Sequence, residues 1–160
     1  MGKIYVLPDH DIERLLSTAL VGRIACCATA FDGEARPYVV PLAYGYDGES
    51  VYAFSGLGRK IHIMRAQPLI SFEVDEALAE DRWSSVIADG AYEELTSAED
   101  RRIAHDVIFG QGSAFPDFSP EQIVYRLRLS RKSGRFELPD GEEPPEAVMP
   151  TGCPAIDHVP

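Results

Sequence analysis

Two Asp-Gly pairs, Asp32-Gly33 and Asp47-Gly48, stand between three runs of β-type residues: RIACCATA (23–30), RPYVVPLAYGY (36–46) and SVYAFS (50–55). An Asp-Gly pair between apolar runs is a strong hairpin signal, because the tight turns that suit strand twist need positive φ at their centre. The spacing predicts three antiparallel strands in a consecutive meander. LISFEVD (69–75) alternates as a further strand, and a loop then runs to Trp83. SSVIADGAYEEL (84–95) resumes the sheet with a bulge at Gly90, and QIVYRLRLS (122–130) continues into SGRFEL (133–138).

Helical patterns are fewer. Asp9 and Asp11 precede Ile12, Leu15, Leu16 and Leu20, which predicts a helix over 9–20 with its acids at the positive end of the dipole. A short helix over 58–66 must end before Pro68. Thr96 and Ser97 stand three residues before Glu99 and Asp100, two overlapping capping boxes for a helix through Ile103, Val107 and Ile108. Six or so short strands, turn signals and a few helices predict a mainly β, α+β domain built on a closed or nearly closed antiparallel barrel.

The chain has 160 residues, 45% of them apolar, enough for one domain with a real core. That domain is expected over residues 1–137. Residues 138–160 hold five acids, six prolines and no Lys or Arg, an acidic, Pro-rich tail unsuited to helix or central strand. The net charge of −11 argues against nonspecific binding to nucleic acid or an anionic membrane, so any basic site is local. No 18-residue apolar run occurs, and MGKIYVLPDHD lacks the core of a secretion signal, which predicts a cytoplasmic protein. Cys26, Cys27 and Cys153 have no metal-ligand spacing and read as reduced thiols, the adjacent pair pointing to opposite faces of a strand.

One local basic site stands out in SGLGRKIHIMRAQP (55–68). Ser55 ends a strand, Gly56 and Gly58 permit close backbone approach, and Arg59-Lys60 open a helix whose first N–H groups are free. A phosphate would find a hydroxyl, backbone donors and two cations there. A surface turn with two solvated cations has the same pattern.

The order of these segments resembles the FMN-binding split-barrel family related to pyridoxamine 5′-phosphate oxidase, and within it the nitroimidazole-resistance (Nim-like) branch. The resemblance rests on GRIACCATAFDGEARPYVVPLAYGYDGESVYAFSGLGRKIHIMRAQPLISFEVD, then WSSVIADGAYEELTSAEDRR, and ends at VYRLRLSRKSGR, covering residues 8–136. It implies a six-stranded antiparallel split β-barrel and a homodimer with two FMN sites at the subunit interface. Carried over by position, main-chain groups of Val40, Pro41, Leu42 and Ala43 would contact the flavin and its ribityl chain. Phe54, Ser55, Arg59 and Lys60 would hold the phosphate, and Ser85, with Trp83 beside it, would meet the flavin ring. Arg135 stands where the family has a basic residue after a glycine. The chain departs from the family in two places. It lacks the C-terminal substrate signature of the true pyridoxamine phosphate oxidases, and it has Phe54-Ser55 where Nim-like members often carry a His.

No Ser-His-Asp, Cys-His or paired-carboxylate set appears, so no catalytic residue is assigned. The resemblance implies an FMN-dependent oxidoreductase that reduces a small-molecule acceptor, nitroaromatic or quinone-like, with a reduced nicotinamide. Two other readings stay open: a flavin- or haem-binding module without turnover, and a relative that uses a deazaflavin. His62 reads as an exposed helix residue rather than a haem ligand. Arg126, Arg128, Arg131, Lys132 and Arg135 form a basic strand face that is either solvated or paired with acids.

Overall fold

The computed structural model of the chain describes residues 2–29 and 34–144. In chain order the elements are β1 (Lys3–Val6), α1 (Asp9–Thr18), β2 (Gly22–Thr29), β3 (Ala35–Leu42), β4 (Gly45–Tyr46) and β5 (Ser50–Ser55). They continue as α2 (Arg59–Ala66), β6 (Leu69–Ala79), β7 (Arg82–Glu94), α3 (Ala98–Phe109) and β8 (Ile123–Leu138). The strands form one antiparallel sheet in the order β3-β2-β6-β7-β8-β5-β4, with β1 also on β8.

The two ends of that path, β3 and β4, are joined by Ala43 and Tyr44 alone. Three Cα–Cα steps span at most about 11 Å, so the sheet curls until its ends nearly meet. They do not pair, and the result is a split barrel of six long strands and two short ones. Its interior holds Leu16, Ile24, Val51, Ile61, Met64, Phe72, Val74, Val86 and Leu127, all fully buried. A second cluster, with Tyr52, Leu95, Ala104 and Val124, lies where α3 packs on β5 and β8.

Several expectations change. The meander breaks after the first hairpin: β2 pairs with β3, but β5 pairs with β4 and β8. The run 36–46 is two strands, because Tyr44 turns inward to donate to Leu16 O at 2.6 Å and to meet Phe72 edge-on. The first helix stops at Thr18, since Ala19 is extended, and Leu20 is left 85% exposed instead of joining the apolar stripe. The expected loop before Trp83 is strand: β6 and β7 form one long hairpin. The bulge is at Gly90, but the extra residue is Ser130 of β8. The capping box forms at Ser97, whose Oγ accepts from Asp100 N at 3.0 Å. The turn Asp32-Gly33, Cys153 and the tail beyond residue 144 lie outside the described residues. No helix among the described residues is long and apolar enough to cross a membrane.

The basic face of β8 is paired with acids. Arg126 makes a fork on Glu93 at 2.8 and 3.0 Å, and Arg128 adds 2.8 Å to the same carboxylate. Hydrogen bonds from Arg126 and then Arg128 hold the Glu93 carboxyl down to about 2. A carboxylate lowered in the folded state contributes stability above its unfolded value, and that contribution is lost as pH falls through the folded one. The unfolding free energy should therefore drop between about pH 5 and pH 2, and Glu93→Gln should flatten that slope in denaturant titrations. Equal slopes for both proteins would remove Glu93 from the account. The effect is tempered by water, because the side chain is 44% exposed.

Candidate functional site

β5 delivers Ser55 to the edge of the barrel, and α2 starts four residues later. Gly58 caps the helix in an extended conformation and offers no side-chain acceptor, so the first N–H groups of α2 face outward. A Cβ placed on Gly56 or Gly58 would meet nothing within 4 Å, and neither has a positive φ. The fold does not require glycine at either position. What glycine preserves is open space in front of the helix.

The cations beside that space are unusual for this chain. Of its fifteen Lys and Arg residues, ten pair with carboxylates among the described residues. Arg59 and Lys60 have no carboxylate contact among those residues and sit over aromatic rings instead. The Arg59 guanidinium lies 4.7 Å from the centre of the Tyr38 ring, and Lys60 Nζ lies 5.9 Å from that of Tyr125. Burial lowers the Lys60 ammonium below the ordinary lysine value, with Cys26 as the opposing influence. The Tyr125 hydroxyl is buried without a hydrogen-bond partner among the described residues, and burial pushes its ionisation upward. Two uncompensated cations, a free helix terminus and a vacant approach fit an anionic group such as a phosphate.

An open groove of about 760 Å³ lies along β2, β6, β7 and β8. Cys27, Pro37, Leu69, Ala91 and Leu129 give it apolar walls, and Asp89 with Arg128 give it a polar end. Pro37 and Cys26, on its rim, flank the Tyr38 that carries Arg59: Cys26 Sγ donates to Tyr38 O at 3.6 Å. Tyr38 packs against the core and Pro37 lines the groove, so the two lie on opposite faces of β3.

The residues expected at the site divide into two groups. Ser55 closes β5, where its hydroxyl donates to Gly56 O at 3.1 Å, and Arg59 and Lys60 open α2. Val40, Pro41 and Leu42 end β3 and Ala43 follows it, with Leu42 buried and Pro41 and Ala43 exposed. The Phe54 ring packs on Phe109 and Phe118 at 5.9 and 5.0 Å, in the α3 cluster, so its main chain rather than its ring borders the cradle. Trp83 and Ser85 lie elsewhere in the subunit. They pair with Glu137 and Arg135, and Trp83 Nε1 donates to Glu137 Oε2 at 2.6 Å. The groove meets β7 at Asp89, four residues and about 13 Å beyond Ser85. Arg135 shares the distant end with Ser85 and donates to Gly134 O. Tyr38 and Tyr125 were not anticipated. Tyr38 lies opposite Cys26 in the hairpin, and only a known register exposes that neighbourhood.

Known proteins share this architecture. A family model described as pyridoxamine 5′-phosphate oxidase matches residues 8–136. A FAD-binding protein from Mesorhizobium loti, known from a crystal structure, is 34% identical with a TM-score of 0.68, covering 84% of this chain and 99% of that one. A candidate 5-nitroimidazole antibiotic resistance protein from Bacteroides thetaiotaomicron has the same fold at 22% identity and a TM-score of 0.68, covering 85% of this chain and 89% of that one. An uncharacterized protein of Rhizobium meliloti (strain 1021) is 30% identical over 96 residues, 60% of each chain, so this chain spans about 60% of that curated relative's length.

Proposed function

Because the chain belongs to the pyridoxamine 5′-phosphate oxidase family, with its match running over residues 8–136, we propose that it is a flavoprotein whose cradle at Ser55–Lys60 holds the phosphate of FMN. On this reading it acts as a homodimeric oxidoreductase that passes reducing equivalents from a reduced nicotinamide to a small nitroaromatic or quinone-like acceptor. The observation that carries the reading is the pair Arg59 and Lys60, left free of carboxylates at a helix start in a protein of net charge −11. Their charge is available to a ligand because no acid among the described residues consumes it.

When bound, the flavin supplies the hydride and electron chemistry. The chain's own residues then have simpler tasks. Arg59, Lys60 and the Ser55 hydroxyl bind the phosphate, and main-chain groups of Val40–Ala43 orient the rest. The FAD-binding neighbour from Mesorhizobium loti makes FAD the competing ligand. FMN is favoured here because its phosphate is terminal and can fill the small cradle.

Assembly follows from the outer face of β3, β2, β6 and β7. Val39, Leu69 and Ile87 are 60%, 66% and 52% exposed there, with Pro41 and Cys27 between them. A twofold copy covers such a face by using it twice. An interface site also accounts for Trp83 and Ser85, which one subunit holds away from its own groove and a second copy supplies. The purified protein should quench FMN fluorescence saturably at about one site per chain, release FMN rather than FAD on denaturation, and scatter light as about twice 17.6 kDa. A monomer would overturn the interface site, and absence of any flavin binding at tens of micromolar would overturn the function.

A further inference from the structure

We infer that Tyr38 is a positioning residue of the cradle: its ring holds the Arg59 guanidinium at the start of α2 with every N–H left free for the phosphate. The inference rests on the phosphate-binding reading above. Arg59 is exposed, and an arginine on open surface spreads over many rotamers that a ligand must then select. A carboxylate could fix it, but would occupy the N–H fork and cancel the charge. An aromatic face attracts the cation through its quadrupole and touches only the flat side of the guanidinium, leaving the edge donors outward.

The seat itself is rigid. Tyr38 is half-buried on β3 opposite Cys26, packs against the main core, and takes the Cys26 thiol on its carbonyl. Lys60 Nζ lies 5.9 Å from the centre of the fully buried Tyr125 ring. Carboxylates hold ten other cations among the described residues, whereas the two that open α2 lie over aromatic rings. That coincidence is what an anion site needs: charge held in place, yet not neutralised.

The test is a double-mutant cycle read by calorimetry, with FMN and riboflavin titrated into wild type, Tyr38→Phe and Tyr38→Leu, each also with Arg59→Ala. Tyr38→Phe keeps the ring and should bind FMN as wild type does. Tyr38→Leu should weaken FMN about two- to fivefold, the factor an exposed cation–π contact represents, and leave riboflavin unchanged. With Arg59→Ala already present, the Tyr38→Leu effect should vanish. A loss that persists in that background, that Tyr38→Phe shares, or that falls equally on riboflavin gives Tyr38 a merely structural role and overturns the inference. Arginine-labelled NMR spectra of the wild type give a reading independent of substitution: the Arg59 side-chain protons should show the upfield ring-current shift of the Tyr38 face, and unshifted protons overturn the contact. Wild type that binds no FMN overturns this role together with the phosphate reading, whereas FMN binding indifferent to Tyr38 overturns the positioning role alone.

Discussion

Replacing Arg59 and Lys60 together with alanine weakens FMN binding roughly a hundredfold or more and leaves riboflavin binding nearly unchanged. The difference between the two ligands is the phosphate, and the two side chains are the cations nearest the open start of α2. Each charge-assisted hydrogen bond to an ionised group contributes about 1.5–3 kcal/mol. Arg59 is exposed and Lys60 half-buried, so the lower end applies and the pair together is worth about 3 kcal/mol. Neither residue holds the fold through an ion pair among the described residues, and the melting temperature should therefore stay close to that of wild type. Fluorescence titration with both ligands measures the contrast. Equal losses for FMN and riboflavin would place the phosphate elsewhere.

Gly45→Val should destabilise the fold by about 3 kcal/mol, the upper part of the range for overpacking a close contact. A Cβ at Gly45 would stand 2.6 Å from Val107 O and 2.8 Å from Ile108 Cα, and neither backbone atom can rotate away. α3 would have to lift from β4, opening the cluster of Tyr52, Leu95, Ala104 and Val124. For a chain of 160 residues the expected fall in melting temperature is about 6–12 °C by circular dichroism. Gly56→Ala is the control. Its Cβ meets nothing within 4 Å, and it should melt within a few degrees of wild type. A Gly45→Val protein as stable as that control would mean that α3 does not rest on β4.

Alternation and turn chemistry made most strands readable, because a strand that buries one face repeats every two residues. RIACCATA and RPYVVPL could be paired from their sequence alone, and Ser97 with Asp100 announced the start of α3. Pairing between distant segments was not readable in the same way. The choice of β8 rather than β3 as partner for β5 is a matter of closure: the sheet curls, its two path ends are tied by Ala43 and Tyr44, and strands adjacent in sequence are carried to opposite ends of the order. The full length of the β6–β7 hairpin is not legible in the sequence. ALAEDRW has little apolar alternation there, and backbone pairing with the neighbouring strand, not burial, continues it.

The cradle has the same division. Ser55, two glycines and Arg59-Lys60 at a strand-to-helix joint are a local signal, and local order is what a sequence carries directly: it determined that a strand-to-helix turn bearing two cations would form and that the chain around it would be a small antiparallel barrel. Tertiary structure alone decided that these two cations would be spared the carboxylates that hold most others, because the acids nearest in space are chosen by the register of β2, β3 and β8 rather than by distance along the chain. It also decided that Tyr38 and Tyr125 lie beneath them, while Trp83 and Ser85, aligned with the same ligand in the sequence, are held by the first half of β7 well away from the groove. The physical reason is that a contact between distant segments depends on how a curled sheet closes, and closure is set by the packing of the whole core rather than by any one segment.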